Sequence, residues 1–158
     1  MTILTSDSKK HIRKYAVIIC FAFSLILVCS LVLGQGNQVT LSTATCDELG
    51  SYSTDASDTE EQVEFLKQFG ITVAEKSKVQ DKVIIPETFN KTYKDYNKLQ
   101  NKIGLDLLSY KGKEVNRVTY KMKNSKYDVT LLVYKGHVIG GHIFSGIYGE
   151  KYYPLFEV

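Results

Sequence analysis

The chain has 158 residues, with 20 Lys and Arg against 17 Asp and Glu for a net charge of +3, three Cys and no Trp. Four of the basic residues and one of the acidic ones precede Tyr15, so the remainder carries 16 charges of each sign and is neutral. That balance argues against a nucleic-acid binder, which shows a basic excess, and three cysteines in such a length argue against a disulfide-stapled scaffold.

The first predicted element is a membrane anchor. Residues 15–33, YAVIICFAFSLILVCSLVL, hold no charge. As a helix at about 1.5 Å per residue they rise roughly 28 Å, against a hydrocarbon core of about 30 Å. The run is apolar all round, unlike the amphipathic helices of small soluble cores. Its basic flank, residues 1–14 with Lys9, Lys10, Arg13 and Lys14, stays in the cytoplasm and leaves the C-terminal side extracytoplasmic. A cleaved signal peptide is the rival. The run is longer than the usual apolar region of about 7–15 residues and no clear A-x-A site follows, Ser42–Thr45 being a weak candidate. Neither Cys29, after Ile26-Leu27-Val28, nor Cys46, after Thr43-Ala44-Thr45, looks like a lipobox cysteine. The sequence therefore predicts an uncleaved single-pass anchor in the cell membrane.

Residues 34–57 are rich in Gly, Gln, Asn, Ser and Thr and read as an extracytoplasmic tether. Cys46 falls within it and offers a route to dimerisation between chains, although an unpaired linker thiol is more often incidental.

A small α+β domain is expected over 58–158. Its first helix starts near Asp58–Thr59, where Asp58 with Glu61, or Thr59 with Gln62, fits the N-cap pattern. Val63, Phe65, Leu66 and Phe69 supply its apolar face and Gly70 its stop. Short strands follow at Ile71–Ala74 and Val83–Ile85, the second ended by Pro86. The second helix covers Phe89–Ile103 and closes at Gly104. Phe89, Tyr93, Tyr96, Leu99 and Ile103 share an arc of about 120°, and Lys91, Lys94, Lys98 and Lys102 an opposing arc of about 80°. Such a lysine stripe is ordinarily a solvated face. Its functional reading is a face for an anionic ligand, a teichoic-acid-like polymer or lipid head groups. Charge is polarised along the domain in the same sense: seven acidic and no basic residues over Asp47–Glu64, then fourteen basic and six acidic over Lys67–Lys126.

Beyond the Lys111-Gly112-Lys113 turn the period becomes two. Val118, Tyr120 and Met122 alternate with polar residues. Tyr127–Tyr134 is apolar enough for a central strand covered on both faces, Lys135-Gly136 is a tight turn, and His137–Phe144 is a third strand. Ile147–Val158 is expected to add an edge strand containing Pro154. The fold class is α+β, with two helices packed on one face of an antiparallel meander of three to five strands.

Three stretches, EEQVEFLKQFGITV (Glu60–Val73), VIIPETFNKTYKDYNKLQNKIGLDLLSYKGKEVNRVTYKM (Val83–Met122) and LLVYKGHVIGGHI (Leu131–Ile143), resemble domain-of-unknown-function family 4830, small proteins of Gram-positive bacteria, often with an N-terminal membrane segment. The resemblance covers roughly Thr59 to the C-terminus. Its most specific pieces are Pro86-Glu87-x-Phe89, the Tyr110–Lys113 turn and Leu132–Gly141. It implies an extracytoplasmic location and a domain extent, and assigns no catalytic residue.

Chemistry-bearing motifs are sparse. His137 and His142 are weak candidates for a metal site. Five residues apart on a regular strand they point to opposite faces, unless Gly140-Gly141 forms a bulge that shifts the register; zinc would also need carboxylates to complete its set. Gly140-Gly141 lacks the strand-to-helix context of a phosphate loop and reads as a bulge or a close backbone approach. No G-x-S-x-G occurs, and Ser145 has no base that spacing identifies. Glu60 and Glu61 are accounted for by the positive end of a helix, and no cofactor motif is present. The expectation is a non-catalytic binding or interaction module at the cell envelope, its partner a membrane protein or an anionic polymer. The alternatives are an envelope hydrolase using His137 and His142, or an assembly subunit of a membrane complex.

Overall fold

The computed structural model describes residues 42–147, 149 and 151–156. The basic flank, the apolar run 15–33 and the tether's residues 34–41 lie outside the described residues, and among the described ones no helix is long and apolar enough to cross a membrane.

The stretch from Ser42, expected as tether, is a correction. Strands β1 (Thr43–Cys46) and β2 (Gly50–Ser53) form an antiparallel hairpin with Thr43 opposite Ser53 and Cys46 opposite Gly50. Cys46 and Tyr52 turn into the core, and Thr54 and Ala56 follow them. So few inward residues in two short strands leave a composition that looks like a linker.

Helix α1 (Thr59–Gln68) starts as the cap pattern predicts: the Asp58 carboxylate accepts from Glu61 N–H at 2.9 Å, and the Glu61 carboxylate accepts from Ser57 N–H at 2.6 Å. Gly70, at a φ of +72°, ends it. The predicted strand at Ile71–Ala74 is reduced to one bridge, Val73 to Met122. A short 3₁₀ turn, Glu75–Ser77, leads into β3 (Val79–Ile84), which begins four residues before its expected start because its first residues are exposed and carry no alternation. Helix α2 (Lys91–Lys102) is capped by the Asn90 amide oxygen, which accepts from Tyr93 N–H at 2.9 Å. A second 3₁₀ turn, Leu107–Tyr110, precedes β4 (Glu114–Lys121), β5 (Asp128–Tyr134) and β6 (His137–Phe144).

These strands form an antiparallel sheet ordered β3-β4-β5-β6. Strand β5 is buried on both faces, as its composition predicts. Val129, Leu131 and Val133 pack with Val63, Phe65 and Leu66 of α1 and with Cys46 and Tyr52 of the hairpin. On the other face Leu132 packs with Phe89, Leu107, Val115 and Ile139, joined by Tyr93 and Tyr96 of α2. The helices therefore cover opposite faces rather than one, with Ile103 at the end of α2 reaching the first cluster. The predicted strand over Ile147–Val158 is likewise corrected to a single bridge, in which Tyr153 and Ile143 exchange two 2.9 Å hydrogen bonds.

The outer edge of β6 is satisfied by three different partners. Val138 N–H donates to Thr54 O at 2.7 Å, Gly141 N–H to Gln100 Oε1 at 2.7 Å, and Ile143 N–H to Tyr153 O at 2.9 Å. Hairpin, helix and C-terminal segment thus cover an edge that would otherwise invite pairing.

Candidate functional site

The third of these partners creates the site. Because Tyr153 is pinned to Ile143 by two backbone hydrogen bonds and Leu155 is buried, the segment after β6 folds back beside α2. Between them lies a groove of about 820 Å³. Thr92, Asp95, Tyr96 and Leu99 of α2 form one wall, and Phe144, Ile147, Lys151 and Tyr152 contribute to the other.

The groove is floored by aromatic rings. Tyr152 lies tilted over His142, with ring centroids 4.2 Å apart, and meets Tyr96 edge-on at 5.9 Å. Phe144 meets His142 at 5.5 Å. Tyr96 Oη and His142 Nδ1 are 2.9 Å apart. His142 is only 8% exposed. Burial, with the nearby Arg117 charge second, pushes its imidazole down to about 4, so it is neutral at physiological pH. Burial holds the Tyr96 phenol above its ordinary range, with neighbouring Tyr93 and Tyr152 adding to the effect. Behind this cluster Thr119 and Thr130 share a 2.8 Å hydroxyl contact, and Arg117 Nε donates to Asp81 Oδ1 at 2.9 Å.

The four lysines of the predicted stripe are all exposed on α2, yet they do not make an unbroken cationic face. Asp95 sits among them. Lys91 Nζ donates to Asp95 Oδ2 at 2.8 Å and Lys98 Nζ to Asp95 Oδ1 at 3.0 Å. These two hydrogen bonds, Lys91's the larger in effect, pull the Asp95 carboxyl down to about 2. Lys102 opens onto a smaller pocket of about 320 Å³ that Asp47 and Glu48 also line. Lys94 is exposed. The stripe thus meets the groove at Asp95, where one carboxylate is held between two ammonium groups.

The histidines do not come together. A register shift between Leu132 and Val133 places His137 opposite Tyr134 and His142 opposite Thr130. Cross-strand partners share a face, so the irregularity puts both imidazoles on one side of the sheet, as a bulge at Gly140-Gly141 would. Four positions of β5 still separate them, roughly 13 Å at 3.3 Å per residue. His137 Nδ1 instead stands 3.3 Å from Asp55 Oδ1. Among the described residues no group of three or more His, Cys, Asp or Glu side chains is placed to hold a metal ion. Gly140 is a close approach: a Cβ there would stand 3.1 Å from Gln100 Oε1 and 3.2 Å from Leu107 Cδ2. Cys46, 6% exposed, is withdrawn from the surface rather than displayed on a linker.

The hydroxyl that His142 meets is a phenol that burial keeps protonated, which makes it a poor nucleophile. Sequence reasoning missed the groove because Tyr152 was assigned to an edge strand and Tyr96 to the helix's core-facing arc. The available signal was Asp95 inside the stripe, three and four residues from Lys98 and Lys91.

No curated protein and no solved structure matches the chain. The family model for a domain of unknown function, DUF4830, matches residues 65–143, half of the chain, from within α1 to Ile143 in β6, and the chain belongs to that family.

Proposed function

We propose that the chain is a membrane-held binding module of the cell envelope, with its folded domain on the extracytoplasmic side and the groove beside α2 as its ligand surface. The apolar run after a basic flank supports the location. The observation that carries the binding reading is the groove itself: a concave, aromatic-floored site with a few converging polar groups, which is the usual build of a ligand site. Lys91 and Lys98, paired with the groove residue Asp95, together with Lys94 and Lys102 along the same helix, favour an anionic envelope polymer, whose repeating charges can be matched by lysines without fixed geometry. Attraction of this kind is screened by salt.

The test is retention of the full chain, in detergent, on purified Gram-positive cell walls. Reversing Lys91, Lys94, Lys98 and Lys102 to Glu is expected to abolish retention at low salt. Unchanged retention of that variant overturns the polymer reading.

A further inference from the structure

We infer that the groove takes a sugar ring stacked on Tyr152, so that the polymer bound is a saccharide. The inference rests on the binding reading above and names its ligand class. Tyr152 is the most telling residue. It is 53% exposed although it belongs to an aromatic cluster. His142 backs it at 4.2 Å and Tyr96 braces its edge, and both neighbouring backbone hydrogen bonds at Tyr153 hold the segment in place. The ring is therefore a fixed platform that pays little ordering entropy when something stacks on it.

The surroundings narrow the choice. A ring face carries negative quadrupole density, which attracts the C–H groups of a pyranose face, while the hydroxyl rim of the same sugar needs hydrogen-bond partners. Thr92, Asp95 and Lys151 line the groove and supply a hydroxyl, a carboxylate and an ammonium group. An acyl chain fits less well, because it offers no hydrogen-bonding group to Thr92, Asp95 and Lys151 and would take them out of water. A bare phosphate polymer has no use for the aromatic floor. A glycan uses the rings and the carboxylate together, and an anionic substituent on it is met by Lys151, which lines the groove.

The experiment uses the absence of Trp from the chain. In the full chain in detergent, Tyr152→Trp places a single tryptophan at the platform. Its emission is expected to shift and saturate on titration with an uncharged N-acetylglucosamine hexamer, and not with polyglycerol phosphate free of sugars. By isothermal titration calorimetry, Tyr152→Ala is expected to weaken hexamer binding about tenfold, the scale of one lost aromatic stacking partner, whereas Tyr152→Phe keeps it. No emission change with the hexamer, or a change with polyglycerol phosphate alone, overturns the inference. Wall retention that still depends on the lysines would then leave the binding reading standing, and loss of both would remove it too.

Discussion

The side chain of Gln100, fully buried on α2, accepts a 2.7 Å hydrogen bond from the backbone N–H of Gly141 on β6. A helix side chain here does the work of a neighbouring strand, satisfying an edge donor that would otherwise be buried without a partner. Gln100→Leu removes the acceptor at similar volume and is expected to cost about 1–3 kcal/mol of stability. Gly140→Ala should cost a similar amount by a different route, since its methyl group would press on Gln100 and Leu107. Urea denaturation of both variants checks this. A midpoint equal to that of the parent for Gln100→Leu would mean that water replaces the amide.

The neutral, buried His142 makes stability depend on acid. Its folded pKa of about 4 lies below the ordinary 6.5, so the unfolded chain binds more protons between those values. The contribution is complete above about pH 6.5, is lost as pH falls, and is gone below about 4, with a total on the order of 3 kcal/mol. His142→Phe should flatten the stability profile across that window while leaving the carboxylate-driven loss at lower pH. Thermal melts at half-unit pH steps would settle it, and an unchanged slope between pH 6.5 and 4 in the variant would assign the effect elsewhere.

What the sequence revealed and what it concealed divide along a physical line. The caps of α1, the apolar run of β5 and the Lys135-Gly136 turn rest on local rules, in which a residue's own chemistry sets its conformation. The hairpin, the docking of α2 and the groove rest on contacts distant in sequence. Asn97 and Gln100 are no part of the apolar set of α2, yet they are that helix's buried residues, because Asn97 Nδ2 donates to Asp106 at 2.8 Å, its Oδ1 accepts from Leu107 N–H at 2.7 Å, and Gln100 serves β6. No periodicity argument scores a polar residue as core. Tyr152 was hidden for a different reason: the expected edge strand over Ile147–Val158 is instead a single bridge at Tyr153, and the fold-back that sets Tyr152 against His142 depends on that long-range contact.

The hairpin gives a direct test of where the domain begins. A chain starting at Asp58 would lose Tyr52, which packs at 5.0 Å from Phe69 and whose hydroxyl donates to Ile103 O at the end of α2. It would also lose the backbone bonds from Ala56 to Gly136 and from Val138 to Thr54. Burying one aromatic side chain contributes about 1.5–3 kcal/mol and each net hydrogen bond about 1 kcal/mol. The chain from Asp58 should therefore be less stable than the chain from Ser42 by about 3 kcal/mol or more, measured by urea denaturation. Equal stabilities would return residues 42–57 to the role of a tether.

The same hairpin decides what Cys46 can do. Its thiol belongs to the first core cluster, with Tyr52 and Phe65, and is 6% exposed where it lines the small pocket shared with Asp47, Glu48 and Lys102, so full access by a reagent or a second chain needs that pocket to widen or β1 and β2 to open. Exchange of a buried group follows the population of such openings rather than its intrinsic reactivity. With Cys20 and Cys29 replaced by Ser, a disulfide reagent should modify Cys46 in the native full chain about a hundredfold more slowly than in urea, an opening free energy of about 2.7 kcal/mol. The same variant should run as a monomer on a non-reducing gel after mild oxidation. Rapid native labelling together with a reducible dimer would show instead that the hairpin opens readily enough for Cys46 to link two chains.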